Sequence, residues 1–397
     1  MKIEEPAKAP VNKGFALFAL GFRPFFLVAG LSGLLLILLW LMVLKGNITS
    51  RSYYPDIFWH SHEMLFGYVA AVVAGFLLTA VRNWTGIQTL RQTPLALLVL
   101  LWLLGRLAAF AIFELPEWLI ALIDMSFLPA VAVSIALPLR AKSQKSNYIF
   151  PALLLLMAIA NLLTHMQYLG FSAQSASMGI NLMLYLIITL IMVMGGRVIP
   201  FFTERGVMGV QTKSWPWVEK LAIVSIAAVG LAATFLPDSV VLAVLALLTA
   251  VIHGLRLYGW YDKRIGAVPM VWILQLGYLW LVVGLLLLAL VPFAVVAREF
   301  AVHALTTGGI GLITLGMMAR VALGHSGREI ATGRVMLWAF VLLGLSPVFR
   351  VFLPQVVPAW YLQSLILSGG LWCVAFLLFS FVYLPILIRP RIDGQPG

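Results

Sequence analysis

The chain has 397 residues, 62% of them hydrophobic and only 10% charged, with a mean hydropathy of +1.04. That leaves far too little polar surface to cover a soluble globule, so the sequence reads as an integral membrane protein set in a lipid bilayer. A formal net charge of +12 would suit nucleic acid, but the Lys and Arg residues sit in short loops between apolar runs, which excludes a basic nucleic-acid-binding domain. The lone Cys373 excludes an internal disulfide and argues against thiolate metal chemistry, leaving histidine as the main metal-ligand type.

Taken in order, the apolar runs fall at about 17–44, 57–81, 95–113, 118–139, 149–169, 178–200, 218–235, 239–258, 270–290, 299–320, 334–353 and 360–387. Most reach the ~20 residues that a helix needs to cross ~30 Å of hydrocarbon. The expected fold is all-α, with about twelve transmembrane helices in a single domain over 17–388. Residues 1–16, with Glu4, Glu5, Pro6 and Pro10, read as a disordered tail rather than a signal peptide, and 389–397 as a second short tail.

The basic residues test that helix count, because cytoplasmic loops carry the Lys and Arg excess. Lys2, Lys8, Lys13 and Arg23 flank the start of the first run. Every second loop after it is basic, with Arg82 and Arg91, Arg140 and Lys142, Arg197 and Arg205, Lys263 and Arg264, Arg328 and Arg334, and then Arg389 and Arg391. The loops between hold only Lys45, Arg51, Arg298 and Arg350, so both termini are expected in the cytoplasm. The second, sixth and tenth runs each end on that side in a polar or Gly-rich motif. This spacing suggests three four-helix arcs resembling the arrangement of the haem-copper oxidases. The analogy stops at the sixth run, which has no histidine from which the copper triad of those enzymes could be built, and a fold does not carry a function across such a gap.

The second run opens on Trp59-His60-Ser61-His62-Glu63-Met64, which puts two imidazoles and a carboxylate at the mouth of an apolar segment. His165 closes the fifth run and His303 opens the tenth, so four of the six histidines share the outer side. His253 falls in the inner part of the eighth run and His325 in the loop after the tenth. A single interfacial histidine is explained by a wet helix end. Four together, with Trp59 and Glu63 beside them, favour a haem or metal, since neutral imidazole is the common protein ligand for iron, copper and zinc. On a helix His60 and His62 lie about 200° apart, so two separate sites are expected. Glu63, three residues after His60, is placed to orient an imidazole or handle a proton. Arg106 and Asp124, on neighbouring runs, read as a structural pair. The small residues Gly67, Ala71 and Gly75, and the Gly and Thr residues between Thr306 and Gly316, read as close helix packing. Arg82, Arg197 and Arg320, at inner helix ends, are candidates to hold haem propionates or an anion, although interfacial arginines commonly act as topology anchors.

Several motifs together resemble one family. These are Gly21-Phe22-Arg23-Pro24-Phe25-Phe26, the Trp59–Met64 segment, Asn83-Trp84-Thr85-Gly86, Arg197-Val198-Ile199-Pro200-Phe201-Phe202-Thr203, His303-Ala304-Leu305-Thr306, and Gly316-Met317-Met318-Ala319-Arg320 with Gly324-His325-Ser326-Gly327-Arg328. Over about Phe15 to Pro385 the sequence resembles the NnrS family. The resemblance implies a bacterial inner-membrane protein that carries haem and copper, responds to nitric oxide and protects iron centres from nitrosative stress. It carries His60, His62, His303 and His325 over as metal candidates, with His165 as an addition. Arg82 and Ser326 depart from the family pattern, where proline and threonine are common, and neither change removes a candidate ligand.

The leading expectation is that His303 and one of His60 or His62 ligate a b-type haem, while the other, with His165, faces a second metal, taken as copper. Nitric oxide or a related small molecule would bind at the haem, which leaves room for a nitric-oxide-related oxidoreductase with a redox partner the sequence does not name. The alternative is a haem-free secondary transporter that uses the outer His and Glu cluster as a proton or substrate site.

Overall fold

In a bilayer every backbone N–H and C=O must be paired within the segment, which leaves the helix as the means of crossing for so apolar a chain. The computed structural model describes residues 14–50, 52–110 and 114–395. The expectations for Lys2, Lys8, Lys13, Arg51 and the last residues of the third run lie outside them. The described residues form twelve long helices, which we number α1 (Phe22–Leu44), α2 (Asp56–Thr85), α3 (Gln92–Ala108), α4 (Glu117–Ala141), α5 (Lys145–Tyr168), α6 (Ser175–Gly206), α7 (Pro216–Phe235), α8 (Val240–Trp260), α9 (Pro269–Phe293), α10 (Arg298–His325), α11 (Arg334–Val356) and α12 (Pro358–Ile388). Eleven are long and apolar enough to span a membrane, and α3, with 17 residues, sits at the lower limit.

The helix ends follow local chemistry. Pro216 and Pro269 open α7 and α9 at positions whose N–H has no helical partner in any case. Ser239 caps α8 by accepting a hydrogen bond from the Leu242 N–H. Gly86 ends α2 in the left-handed conformation at φ +69°.

α2, α6 and α10 stand at the centre and touch one another pairwise. Within their most apolar stretches 83%, 78% and 78% of residues are buried, against 50% or less for the other spanning helices. The remaining helices form three groups around them. α3, α4 and α5 fill the space between α2 and α6; α7, α8 and α9 that between α6 and α10; α11, α12 and α1 that between α10 and α2. Glycines allow the tightest approaches, and a Cβ on Gly308 of α10 would run into the Trp280 ring of α9. The two ends of the described chain lie on one face, where Ala16 N–H donates to the Ile388 carbonyl and Arg23 donates to the carbonyls of Leu387 and Arg389.

Two helices run past the apolar windows read from sequence. α6 continues through Pro200 to Gly206, and α10 reaches His325, which is therefore a helical residue and not part of the following loop. Hydropathy registers the apolar run, whereas helical hydrogen bonding continues through the polar turn beyond it.

Candidate functional site

The site is built around the first turns of α2. Pro55, with φ fixed at −57°, delivers the chain into the helix, and Asp56 ties the turn to the preceding segment by accepting from the Ser50 N–H and hydroxyl. Two residues apart on this helix, His60 and His62 diverge. His60 stacks on Trp40 of α1, with ring centroids 4.5 Å apart and planes 10° from parallel, and faces the α1, α11, α12 side. His62 turns into the α3, α4, α5 side and is fully buried.

On the first side lies a cavity of about 440 Å³, walled mostly by apolar side chains such as Ile37, Leu41, Met64 and Val69. This is within the range that encloses a drug-sized ligand. His60, His303 and Arg350 face it from α2, α10 and α11. Nδ1 of His303 donates to the Glu299 carbonyl at 2.7 Å, which fixes the tautomer and leaves Nε2 with its lone pair, 3.3 Å from Nη2 of Arg350. Nδ1 of His60 and Nη1 of Arg350 are buried without a hydrogen-bond partner. Orphaned polar atoms are costly, and these two mark the polar side of an otherwise apolar wall.

On the other side His62, Asp124 and His165 bring one ligand atom each within 4.8 Å of the others, all three buried. Oδ2 of Asp124 lies 3.2 Å from Nε2 of His62 and 3.1 Å from Nε2 of His165. Ligands held at about 2.0–2.1 Å around a tetrahedral ion are roughly 3.3 Å apart, so the cluster is near the size of such a shell. Asn161 presents Oδ1 to His62 Nε2 at 3.1 Å while its amide donates to Asp124 Oδ2. The Tyr54 hydroxyl is 3.1 Å from His62 Nε2 and 3.3 Å from His165 Nε2. Burial raises the Tyr54 phenol well above its ordinary pKa and keeps it protonated, and burial does the same for the neighbouring Tyr53.

Glu63 accepts from Nδ1 of His62 at 3.3 Å, so it orients His62 and not His60 as the three-residue spacing implied. The reason is Arg106 of α3, which draws the carboxylate to its side through a 2.9 Å bond and also pairs with Asp124. His62 thus has acceptors at both ring nitrogens. It can be an imidazolium, a neutral ring with Nδ1–H on Glu63 and Nε2 accepting from the Tyr54 hydroxyl, or a ring whose Nε2 lone pair shares a cation with Asp124 and His165, the carboxylate–histidine–metal arrangement. Gly67 makes room for this network, since a Cβ there would lie 3.2 Å from the Arg106 side chain.

Each histidine stretch is followed by a single π-turn, over Glu63–Val69 in α2 and Ala304–Ile310 in α10. Such widened turns inside α-helices gather at functional sites. The NnrS protein family model matches residues 16–391, nearly the whole chain. The chain belongs to the NnrS family. No curated protein matches it.

The other candidates read from the sequence lie elsewhere. His325 is at the far end of α10, about 30 Å of helix from His303, where Asn83 lies 3.3 Å from its Nε2. Arg320 is buried there with its guanidinium over the Phe202 ring. Arg197 donates to Asn147 and lies over Phe150, and Arg82 closes α2 at the same end. None of these arginines lines the His60–His303 cavity, where the cation is Arg350. His253 is buried among Tyr278 and the Ala222 carbonyl. Asp124, Asn161, Tyr54 and Arg350 belong to the two sites and were not singled out from sequence as site residues. The one signal for them was the depth of Asp124 and Asn161 in apolar helices, where a polar group needs a reason.

Proposed function

We propose that the protein is a bacterial inner-membrane member of the nitric oxide response that carries a b-type haem between His60 and His303 and a copper ion at His62, His165 and Asp124. The observation that carries this reading is the pair of histidine sites on opposite sides of α2, one a roomy apolar cavity and one a tight buried polar cluster. A haem bound in the cavity would supply an iron that binds nitric oxide or a related molecule once one of the two imidazoles leaves its position open. The chain's own part is to hold it. His60 and His303 offer nitrogens from facing helices, Trp40 keeps the His60 ring in plane, and Arg350 offers an unpaired guanidinium N–H to a carboxylate. The apolar wall keeps water away. In the second site Glu63 holds the His62 tautomer, and Arg106 offsets the charge of the two carboxylates.

Binding nitric oxide at such a site would shield iron centres elsewhere in the cell, by sequestration, sensing or oxidoreductase turnover with a separate electron donor. The test is a reduced-minus-oxidised spectrum and elemental analysis of the purified protein. We expect a haem signal that His303→Ala removes, together with copper that His165→Ala removes. A haem signal that survives both His60→Ala and His303→Ala would sink the haem assignment. Two imidazoles with one carboxylate also suit non-haem iron, and iron in excess of haem would reassign the second ion.

One observation favours the transporter alternative. His62 with acceptors at both nitrogens is also a satisfied imidazolium, so the cluster can hold a proton in place of a metal. A colourless, metal-free preparation would select that reading.

A further inference from the structure

Where α2, α6 and α10 meet, the packing leaves a second cavity of about 60 Å³. Val72 and Val73 of α2, Ile191 and Met194 of α6, and Ile313 and Met317 of α10 line it. Val69 lines both this space and the His60–His303 cavity, so the two abut at one side chain. The single hydroxyl on its wall is already committed, because Thr314 donates to the Ile310 carbonyl at 2.6 Å and pairs with the Tyr68 hydroxyl at 2.6 Å. A water molecule needs two to four polar partners, and none is offered, so the space is dry and suited to an apolar guest. From Val69 it runs about 10 Å along α2 to Phe76. There Phe76 and Val198 are only half-buried, Phe76 about 9 Å of helix before Arg82 and Val198 next to Arg197.

We infer that this cavity holds a small neutral apolar gas and passes it along the contact of the three central helices to the histidine cavity. The inference deepens the functional reading in naming a diatomic such as nitric oxide as the gas. Its affinity for an apolar atom needs no haem. Neutral diatomics dissolve better in hydrocarbon than in water, so a dry apolar space concentrates them, while the polar and charged groups at both helix ends disfavour the same guest.

Xenon tests it directly. In crystals of the full-length protein held under xenon pressure, an anomalous peak is expected between Val72, Met194 and Met317, and it should vanish in Val72→Phe. No peak in the unsubstituted protein, or ordered water in its place, would overturn the inference. If Val72→Phe does not fold, Gly195→Ala narrows the same space, because its Cβ would meet Ile199 and Tyr278 at ordinary contact distance of 3.4 Å. The route is read from carbon monoxide rebinding after photolysis of the reduced haem protein. Filling the cavity should slow the bimolecular phase several-fold with the equilibrium spectrum unchanged, and an unchanged rate rejects the route. Xenon in a preparation with no haem spectrum would retain the apolar site and reject the haem reading, so the two failures are distinguishable.

Discussion

Arg106 is the residue on which the polar cluster turns. It reaches across from α3 to two carboxylates, Glu63 and Asp124, each nearly inaccessible to water. Removing one member of a buried ion pair leaves an uncompensated charge and costs about 3–5 kcal/mol. Arg106→Met should therefore lower the thermal unfolding midpoint in detergent markedly, and Glu63→Gln added to it should recover part of the loss. If Arg106→Met alone leaves the midpoint unchanged, the network is not structural. Asp124→Asn separates metal from fold, because the amide keeps a hydrogen-bonding oxygen but loses the charge. Copper content should fall while α-helical circular dichroism persists; retained copper would remove Asp124 from the ligand set. The cluster was half legible in the sequence. The divergence of His60 and His62 follows from helical periodicity alone, and the Arg106–Asp124 pairing from their depth on neighbouring helices. That Asp124 also faces His62 and His165 depends on how α4 and α5 rotate against α2, and no local pattern encodes such a rotation.

The element with the most chemistry per residue is the π-turn. In α2 and α10 it follows directly on the histidines, and it shifts the helix face beyond it relative to the face before it. Deleting one residue, Thr307, from the α10 turn should restore regular α-helix and rotate the residues ahead of it by about 100° relative to the rest. His303 would then leave the cavity. The expected result is a monodisperse protein without the haem signal, and an unaltered spectrum would show that the turn has no positioning role. Elsewhere the helices keep ordinary rules. Ser239→Ala should cost about 1 kcal/mol by removing the α8 cap, measured by chemical denaturation in mixed micelles. Helix count and order were readable because each apolar run is bounded by charges or by Pro and Gly. Helix ends and π-turns were not. Hydropathy averages over the polar turns at the ends, and a π-turn is a matter of hydrogen-bond register that side-chain composition leaves open.

At the scale of the molecule, each outer group of helices encloses a polar core against the central three. The α11, α12, α1 group holds the cavity, and the α3, α4, α5 group holds the His62 cluster. The α7, α8, α9 group holds Arg256, which clasps Glu219 through two bonds of 3.0 and 2.7 Å and donates to Tyr278 and to the Met192 carbonyl. His253, the one histidine not read as a metal candidate, closes that core through Tyr278. The three-group layout was foreshadowed by the spacing of polar motifs at the ends of α2, α6 and α10. Its cores were not, since each is assembled from four or more helices whose rotation against one another no local pattern encodes. The third core pairs its cation with its own anion and contributes no histidine to either of the two proposed sites. Hydrogen exchange on protein stripped of metal and haem should show α7, α8 and α9 as protected as before, with exchange rising in α2, α4 and α10. Uniform change across the three groups would reject this division. The Arg256–Glu219 clasp thus makes one third of the ring a permanent keel. Loss of the proposed haem and copper would slacken the molecule on two sides only, and reloading would begin from a frame that never came apart.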